Sequence, residues 1–431
     1  MAGADKYDVA VVGGGPAGIM SAIFAASSGQ RVVLIEKNKQ LGRKLLLTGN
    51  GRCNITNAGF SAQGGPASGW NLRELVKNYN NGEFLFHVFS VFGPKEVINF
   101  FENLGVKTKT EESGSVFPAS NNAKEVLNAL TNELAKSKVN VIYNSEIIDI
   151  KKTGRKITKI VSTQGEILAK KYIFCTGGKS FPTTGSDGLV YNLIKKLGHN
   201  ITGPMPALCP VKLSAPTGRD CASGWKELQG ISLENVKLNV VQNGKKCFSE
   251  QGDIVFTHFG LSGPAVLNIS GRVGELLNKG GVEINIDLFP ALKHDEVVTE
   301  LEDILKRYAN RTVKNILCFL VPERLAEFLS DFAGVKQVKI AGNMSKAERI
   351  AVARVLKNLE VAVDGLLGFE QAWVTRGGVS LKEIDHKTMK SKIIDNLFFA
   401  GEIIDVDGKS GGFNLQSCWS TGYLAGKSTA E

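Results

Sequence analysis

No Cys-x-x-Cys pair occurs anywhere in the chain of 431 residues. Its seven cysteines, at positions 53, 175, 209, 221, 247, 318 and 418, are odd in number and widely scattered. That pattern argues against a zinc site, a disulfide framework and a redox dithiol, and it fits a reducing, cytoplasmic setting. Histidine is scarce too. Of the five, His87, His199, His294 and His386 form no constellation, so no metal is expected. One long uncharged run exists, Val9 to Gln30, but a glycine cluster interrupts it and Asp5 and Asp8 precede it. Neither a membrane span nor a signal peptide is expected from such a run. Internal repeats and low-complexity tracts are also missing, so the chain reads as two or three ordinary globular domains.

Positive charge and glycine are what the chain has in excess. The formal charge is +10, which favours anionic partners such as nucleotides, nucleic acid or a membrane surface. Part of it lies between Lys306 and Glu360, where eleven Lys/Arg face five acids. Solvated helix faces account for that stretch more simply than a nucleic-acid surface does. The 48 glycines cluster at turns, which suggests loops that cradle a ligand.

The most informative stretch is Tyr7 to Glu36. A short apolar run, Tyr7 to Val12, enters Gly13-Gly14-Gly15-Pro16-Ala17-Gly18; a small-residue helix pattern follows, then a second apolar run ending at Glu36. Gly13, Gly15 and Gly18 fit the spacing G-x-G-x-x-G, and Glu36 stands where a ribose-binding acid is needed. The first glycine permits a tight turn, the second lets a pyrophosphate reach the backbone, and the third lets helix and strand pack closely. The helix start, with Pro16 and Ala17, offers N–H groups and a positive dipole end to phosphate. Dinucleotide binding follows from this arrangement.

Further along, Lys37 to Asn57 reads as a long ordered loop of functional character. Lys37, Arg43, Lys44 and Arg52 are placed to reach phosphates, and Gly49, Asn50, Gly51, Cys53 and Asn54 could let backbone pass close to a flat ring. Ala123 to Lys136 has a clear helical period, and Glu146 to Lys170 looks like a three-stranded meander. The strand Tyr172 to Phe174 runs into Cys175, Thr176, Gly177 and Gly178, a plausible second wall for the nucleotide. Proline marks a crossing near 204–216, and a β-rich, barrel-like region follows to about Ser270. Helical periods fill 296–359, with Ser345 and Glu348 spaced as a capping box. From Gly368 the chain returns to glycine turns after short strands, including Gly401-Glu402 and Gly411-Gly412-Phe413-Asn414-Leu415-Gln416. Similar ends around a different middle predict an α/β fold split by an insertion. The division expected is 1–200 and 361–431 for nucleotide binding, 201–275 β-rich and 276–360 helical. A single fingerprint with a second glycine turn at the far end suits FAD, held non-covalently, better than NAD. The last helix then has a use, because its N-terminal dipole favours a reduced, anionic ring.

These blocks resemble the BaiN-type (YhiN-like) bacterial flavoproteins, also known as aminoacetone-oxidase-family FAD-binding enzymes, within the glutathione-reductase-like two-dinucleotide-domain superfamily. The likeness rests on GGGPAG (13–18), GRKLLLTGNGRCNITN (42–57), CTGGKSFPTTGSDG (175–188), THFGLSGPAVL (257–267), TRGGV (375–379) and GEIIDVDGKSGGFNLQ (401–416). It implies a split Rossmann-type FAD domain with inserted barrel-like and helical parts. It also implies that Glu36 binds the adenosine ribose and Gly13, Gly15 and Gly18 the pyrophosphate. Arg43, Lys44 and the Asn50–Asn54 loop would lie along the cofactor. Gly401, Glu402 and Asp405 would border the ribityl–phosphate region, with Gly411 to Gln416 at the ring.

The chemistry expected is passage of hydride equivalents between a reduced nicotinamide nucleotide and a small organic substrate, an unsaturated or carbonyl compound. NAD(P)H would visit transiently, since no second fingerprint is present. His258, in a glycine-bounded loop, is the candidate proton donor. Cys53 is a candidate at the flavin face, and Arg376 is a candidate for a substrate carboxylate. Each has a plainer reading: a bracing histidine, a small buried filler and a structural arginine. Two other functions stay open: a flavin-dependent RNA-modifying enzyme, for which no RNA-binding module appears, and a non-catalytic FAD or electron carrier.

Overall fold

The computed structural model describes residues 6–59, 71–215 and 224–430; Cys221, counted above, lies outside them. Two compact units result, one from Met1–Met205 with Ala372–Glu431 and one from Pro206–Gln371. The chain thus leaves the first unit once and returns to it once.

The first unit is built on a mostly parallel sheet. Strand β1 (Lys6–Val12) lies centrally, with β2 (Val32–Ile35) on one side and the long strand Gly165–Phe174 on the other, both parallel to it. Asn140–Ile142 extends the sheet beyond β2, and Leu397–Phe399 pairs with the long strand, again in parallel. Val9–Val12 and Val32–Ile35 are buried without alternation, as strands covered on both faces require. The register aligns Val12 with both Ile35 and Phe174. Three strands therefore end at one level, and Gly13, Glu36 and Cys175 emerge together at their carboxyl edge.

The meander expected at 146–170 is present, with one difference. Its last strand and the expected strand Tyr172–Phe174 are a single strand, Gly165–Phe174. Gly165–Ile167 pairs antiparallel with Lys156–Ser162, and from Leu168 onward the strand pairs parallel with β1. Lys170 and Lys171 interrupt the apolar pattern inside the part that pairs with β1, which is why the sequence reads as two pieces.

Helix α1 (Pro16–Ala26) is apolar on nearly every side because the C-terminal helix, Phe413–Ser428, packs along it. The approach is very close. A side chain at Gly422 would stand 2.5 Å from the Ala17 carbonyl oxygen, and one at Gly426 would stand 2.5 Å from that of Ser21. Ser21 Oγ donates to the Gly422 carbonyl at 3.1 Å. Sequence distant by some 400 positions is thereby fixed against the fingerprint helix.

The second unit contains a closed six-stranded antiparallel barrel. In order around it run Val211–Leu213, Gly260–Ser262, Lys245–Thr257, Ser232–Gln242, Val282–Asp287 and Leu359–Leu366, which closes on the first. Val236, Leu238, Val240, Ile284, Ile286, Val361 and Val363 are buried, alternate with more exposed neighbours and fill its core. The barrel extends past the 201–275 stretch because its last two strands flank the helical segment. Helices His294–Arg307, Val313–Leu317, Glu323–Phe332 and Lys346–Lys357 lie between those strands and share the barrel's core. Trp225, for example, packs on Phe256 of the barrel and Phe328 of a helix. The capping box at Ser345 forms as expected. Ser345 Oγ accepts from the Glu348 N–H at 3.2 Å, and the Glu348 carboxylate accepts from the Ser345 N–H at 2.8 Å.

Candidate functional site

The carboxyl edge of the parallel sheet opens into a cleft, the position where open α/β sheets bind ligands. Gly13, Gly14, Gly15, Pro16 and Ala17 form one wall, Glu36, Lys37 and Asn38 a second, and Thr176, Gly177 and the 184–191 segment a third. Arg43, Lys44 and Glu402 complete it. All belong to the first unit.

Each fingerprint glycine has a distinct geometry. Gly13 turns with φ of +101°, and a side chain there would meet the Cys175 carbonyl oxygen at 2.5 Å. Gly18 faces the Gly13 carbonyl oxygen, with only 1.8 Å for a Cβ, so it seats α1 on the turn. At Gly15 a Cβ would meet nothing within 4 Å. Space is therefore left where a pyrophosphate has to approach the backbone, directly at the helix start. The residues present fit a dinucleotide cofactor.

Glu36 is 8% exposed and held firmly. One carboxylate oxygen accepts from the Gly14 N–H at 2.8 Å, and the other accepts from the Asn38 N–H at 2.8 Å and Asn38 Nδ2 at 2.6 Å. The glycine turn and Glu36 are thus locked to one another. Lys37 pairs with Asp187 at 2.5 Å, and Arg43 donates to Asn38 Oδ1 at 2.8 Å. Lys44 lies 2.8 Å from Glu402, whose other oxygen accepts from Ser180 Oγ at 2.9 Å and from the Thr375 N–H at 2.7 Å. That network joins residues before and after the insertion. Asn38 and Asp187 were not singled out from the sequence; the position two residues after Glu36 and the SDG turn were the available signals.

Other expected residues stand outside the lining of this cleft. Gly178 backs onto Thr375, with 2.4 Å to its Oγ1 for a Cβ, and Gly401 packs on Ala17. Arg52 does not line the cleft; it pairs with Glu111 at 2.8 Å and lies over the Phe117 ring at 4.0 Å. A neighbouring acid and ring capture it, which the sequence around Arg52 does not reveal. The Gly49–Asn54 loop is ordered, with left-handed backbone at Asn50 and Cys53. Asn54, its amide oriented to suit its neighbours, donates to the Thr56 and Val116 carbonyls and accepts from the Gly412 N–H at 3.1 Å. This loop therefore braces the start of the C-terminal helix. There Tyr79 donates to the Phe413 carbonyl at 2.8 Å, and Asn414 bonds both the N–H and the carbonyl of Gly408. Leu415 follows in the same turn. Gln416 is buried, bonded to Thr56 and to Ser420 at 2.7 Å. The backbone carbonyl of Asp405 accepts from Asn81 Nδ2 at 2.9 Å.

Three candidates for chemistry meet less inviting surroundings or lie elsewhere. Cys53 is fully buried, and burial pushes its thiol up to about 12. It stays protonated and fits the reading of a small filler. Arg376, 8% exposed, faces Asp407 at 3.6 Å, so its charge is already matched. His258 is exposed in the turn between Lys245–Thr257 and Gly260–Ser262 of the barrel, its ring 4.9 Å from Phe259.

Comparison with known proteins now bears on the cleft. Residues 7–428 match the family described as HI0933-like protein Rossmann domain. The chain belongs to that family. It is 30% identical over 98% of its length to 3-dehydro-bile acid delta(4,6)-reductase of Clostridium scindens, covering 99% of that protein. It is 29% identical to ribosomal RNA dihydrouridine synthase of Escherichia coli, covering 97% of each. Among solved structures, the open conformation of a flavocytochrome c3 fumarate reductase superposes with a TM-score of 0.52. That match has 17% identity and covers 99% of this chain and 78% of the other, a likeness of fold. Family, fold and cleft agree: the chain is an FAD-type oxidoreductase. No helix among the described residues is long and apolar enough to cross a membrane.

Proposed function

We propose that this protein carries hydride equivalents from a reduced nicotinamide nucleotide to a small organic acceptor whose carbon–carbon double bond is conjugated to a carbonyl. The cleft with open space at Gly15 carries the cofactor half of this reading. The acceptor half rests on the names of two relatives, each of which describes a double bond gaining two hydrogens. Bound FAD would supply the hydride relay, because the flavin ring accepts a hydride from one partner and gives it to another.

The chain's own residues do the rest. Glu36 and Gly14 hold the ribose end, and Gly13, Gly15, Pro16 and Ala17 receive the pyrophosphate. Lys37, Arg43 and Lys44 supply positive charge along it, and Glu402 borders the ribityl region. Gly411 to Gln416 would place a helix N-terminus at the ring, braced by the Gly49–Asn54 loop. His258 is the proposed source of the proton that completes reduction of the double bond. In anaerobic stopped flow, reduction of the bound flavin by NADH or NADPH, then reoxidation by a conjugated enone, is the expected behaviour. A flavin that neither nucleotide reduces would sink the reading. His258→Ala should slow reoxidation by the acceptor at least about tenfold while leaving flavin reduction alone; an equal effect on both would make that histidine structural.

An RNA-held uracil is a second acceptor with the same conjugation. The formal charge of +10 and the relative named for ribosomal RNA favour it. Binding of RNA that weakens steeply with salt, with flavin reoxidation on adding RNA, would select this acceptor over a small molecule.

A further inference from the structure

Asn38 commits its whole side chain to the walls of the cleft. Its Nδ2 donates to Glu36 Oε1 at 2.6 Å and to the Thr184 carbonyl at 3.1 Å, while its Oδ1 accepts from Arg43 at 2.8 Å. Its backbone N–H donates to the same Glu36 oxygen at 2.8 Å. The third wall is shaped to this amide: a side chain at Gly185 would stand 2.5 Å from Nδ2. A carboxylate offers about four accepting positions, two on each oxygen. Asn38 fills both on Oε1, and the Gly14 N–H takes one on Oε2. Among the described residues, nothing takes the other position on Oε2. The backbone here does not depend on the Asn38 side chain. The Glu36 N–H donates to the Ile142 carbonyl at 2.9 Å, and the Glu36 and Asn38 carbonyls accept from the Ser145 and Asn144 N–H groups at 3.0 and 3.1 Å.

We infer that Asn38 is a positioning residue that makes Glu36 selective for one ribose hydroxyl of the cofactor's adenosine. By holding Oε1 twice, it fixes the plane of the carboxylate and reserves the remaining position on Oε2 for a single O–H donor. A hydrogen bond from a hydroxyl to a charged acceptor is strong and directional. Its strength therefore depends on where that oxygen points. Without the amide, Oε1 keeps only the backbone N–H, and the last torsion of a glutamate is broad and soft. The same amide ties Arg43 and Thr184 to the acid, so two walls are set around one orientation. The site then reads a sugar hydroxyl as well as phosphate charge.

The inference rests on the proposed ribose-binding role of Glu36, and its test separates the two. FAD-free protein is titrated calorimetrically with ADP, 2′-deoxy-ADP and 3′-deoxy-ADP, for wild type, Asn38→Ala, Asn38→Asp and Glu36→Ala. Wild type should bind ADP about tenfold more tightly than one of the two deoxy analogues. Asn38→Ala should bring that preference down to about threefold or less. Asn38→Asp keeps the shape and the acceptor for Arg43 but has no side-chain donor for Glu36, so it should lose the preference too. Once Glu36 is alanine, adding Asn38→Ala should change the preference no further. A preference kept in both Asn38 variants, with all three ligands weakened equally, overturns the inference and leaves that side chain a plain brace. A preference that survives Glu36→Ala, or a wild type with none, would instead overturn the ribose-binding role of Glu36.

Discussion

The two units of this chain hold themselves together by different means. The nucleotide unit carries 32 Lys/Arg and 22 Asp/Glu, whereas Pro206–Gln371 carries 20 of each, together the 52 and 42 of the whole chain. The net charge of +10 therefore belongs entirely to the nucleotide unit. The basic run 306–360 is balanced by acids elsewhere in the insert. Packing differs as well. The nucleotide unit brings backbone against backbone at Gly13, Gly18, Gly422 and Gly426, and it buries polar side chains such as Gln416, Ser420 and Thr421. The insert relies on alternating aliphatic strands and aromatic side chains such as Phe256 and Phe328. One unit is shaped by a ligand that needs close approach and positive charge, and the other by a core that needs only volume.

The largest test of this contrast is Gly18→Val. A side chain 1.8 Å from a carbonyl oxygen has nowhere to go, so the cost should exceed roughly 4–5 kcal/mol. Amide hydrogen exchange should show protection lost through the nucleotide unit and kept in the barrel. Uniform loss in both would mean that the units do not unfold separately. Next, Phe256→Ala in the barrel should cost about 3–5 kcal/mol, read from urea unfolding, with flavin content intact. A smaller effect on stability belongs to Gly15→Val. Its apo form should melt within about 1 kcal/mol of wild type, since no neighbour is met, while the purified protein is colourless. A yellow variant would show that the pyrophosphate lies elsewhere. The mildest change is Ser345→Ala, worth about 1 kcal/mol through loss of a helix cap. Its partner Glu348 titrates at about 2, below an ordinary 4.5, held down by Lys339 and then by Ser345. A depressed carboxyl stabilises above its unfolded value and loses that contribution as pH falls from 4.5 towards 2. The variant's deficit should shrink over that range.

Short-range chemistry is what the sequence revealed most clearly. The turn at Gly13–Gly18, the acid at Glu36, the helix Ala123–Lys136 and the box at Ser345 all depend on neighbours within a few tens of residues. The cleft could be foreseen as far as Thr176 and Glu402 because glycine turns after strands mark the sheet edge. Contacts between distant segments were hidden. Arg52 looked like a phosphate ligand until Glu111 and Phe117 folded beside it. Val282–Asp287 and Leu359–Leu366 pair in the barrel across the helical segment, and nothing local in either strand announces the other.

The clasp between α1 and the C-terminal helix has a consequence for how the molecule is made. Gly422 and Gly426 must arrive beside Ala17 and Ser21 before the fingerprint helix has its second face covered. On the ribosome, the whole of Pro206–Gln371 emerges in the interval, with strands that need no partner from outside it. The order of synthesis thus favours a finished insert waiting on an unfinished nucleotide unit. The face of the fingerprint helix next to Ala17 and Ser21 stays uncovered until Phe413–Ser428 has been made.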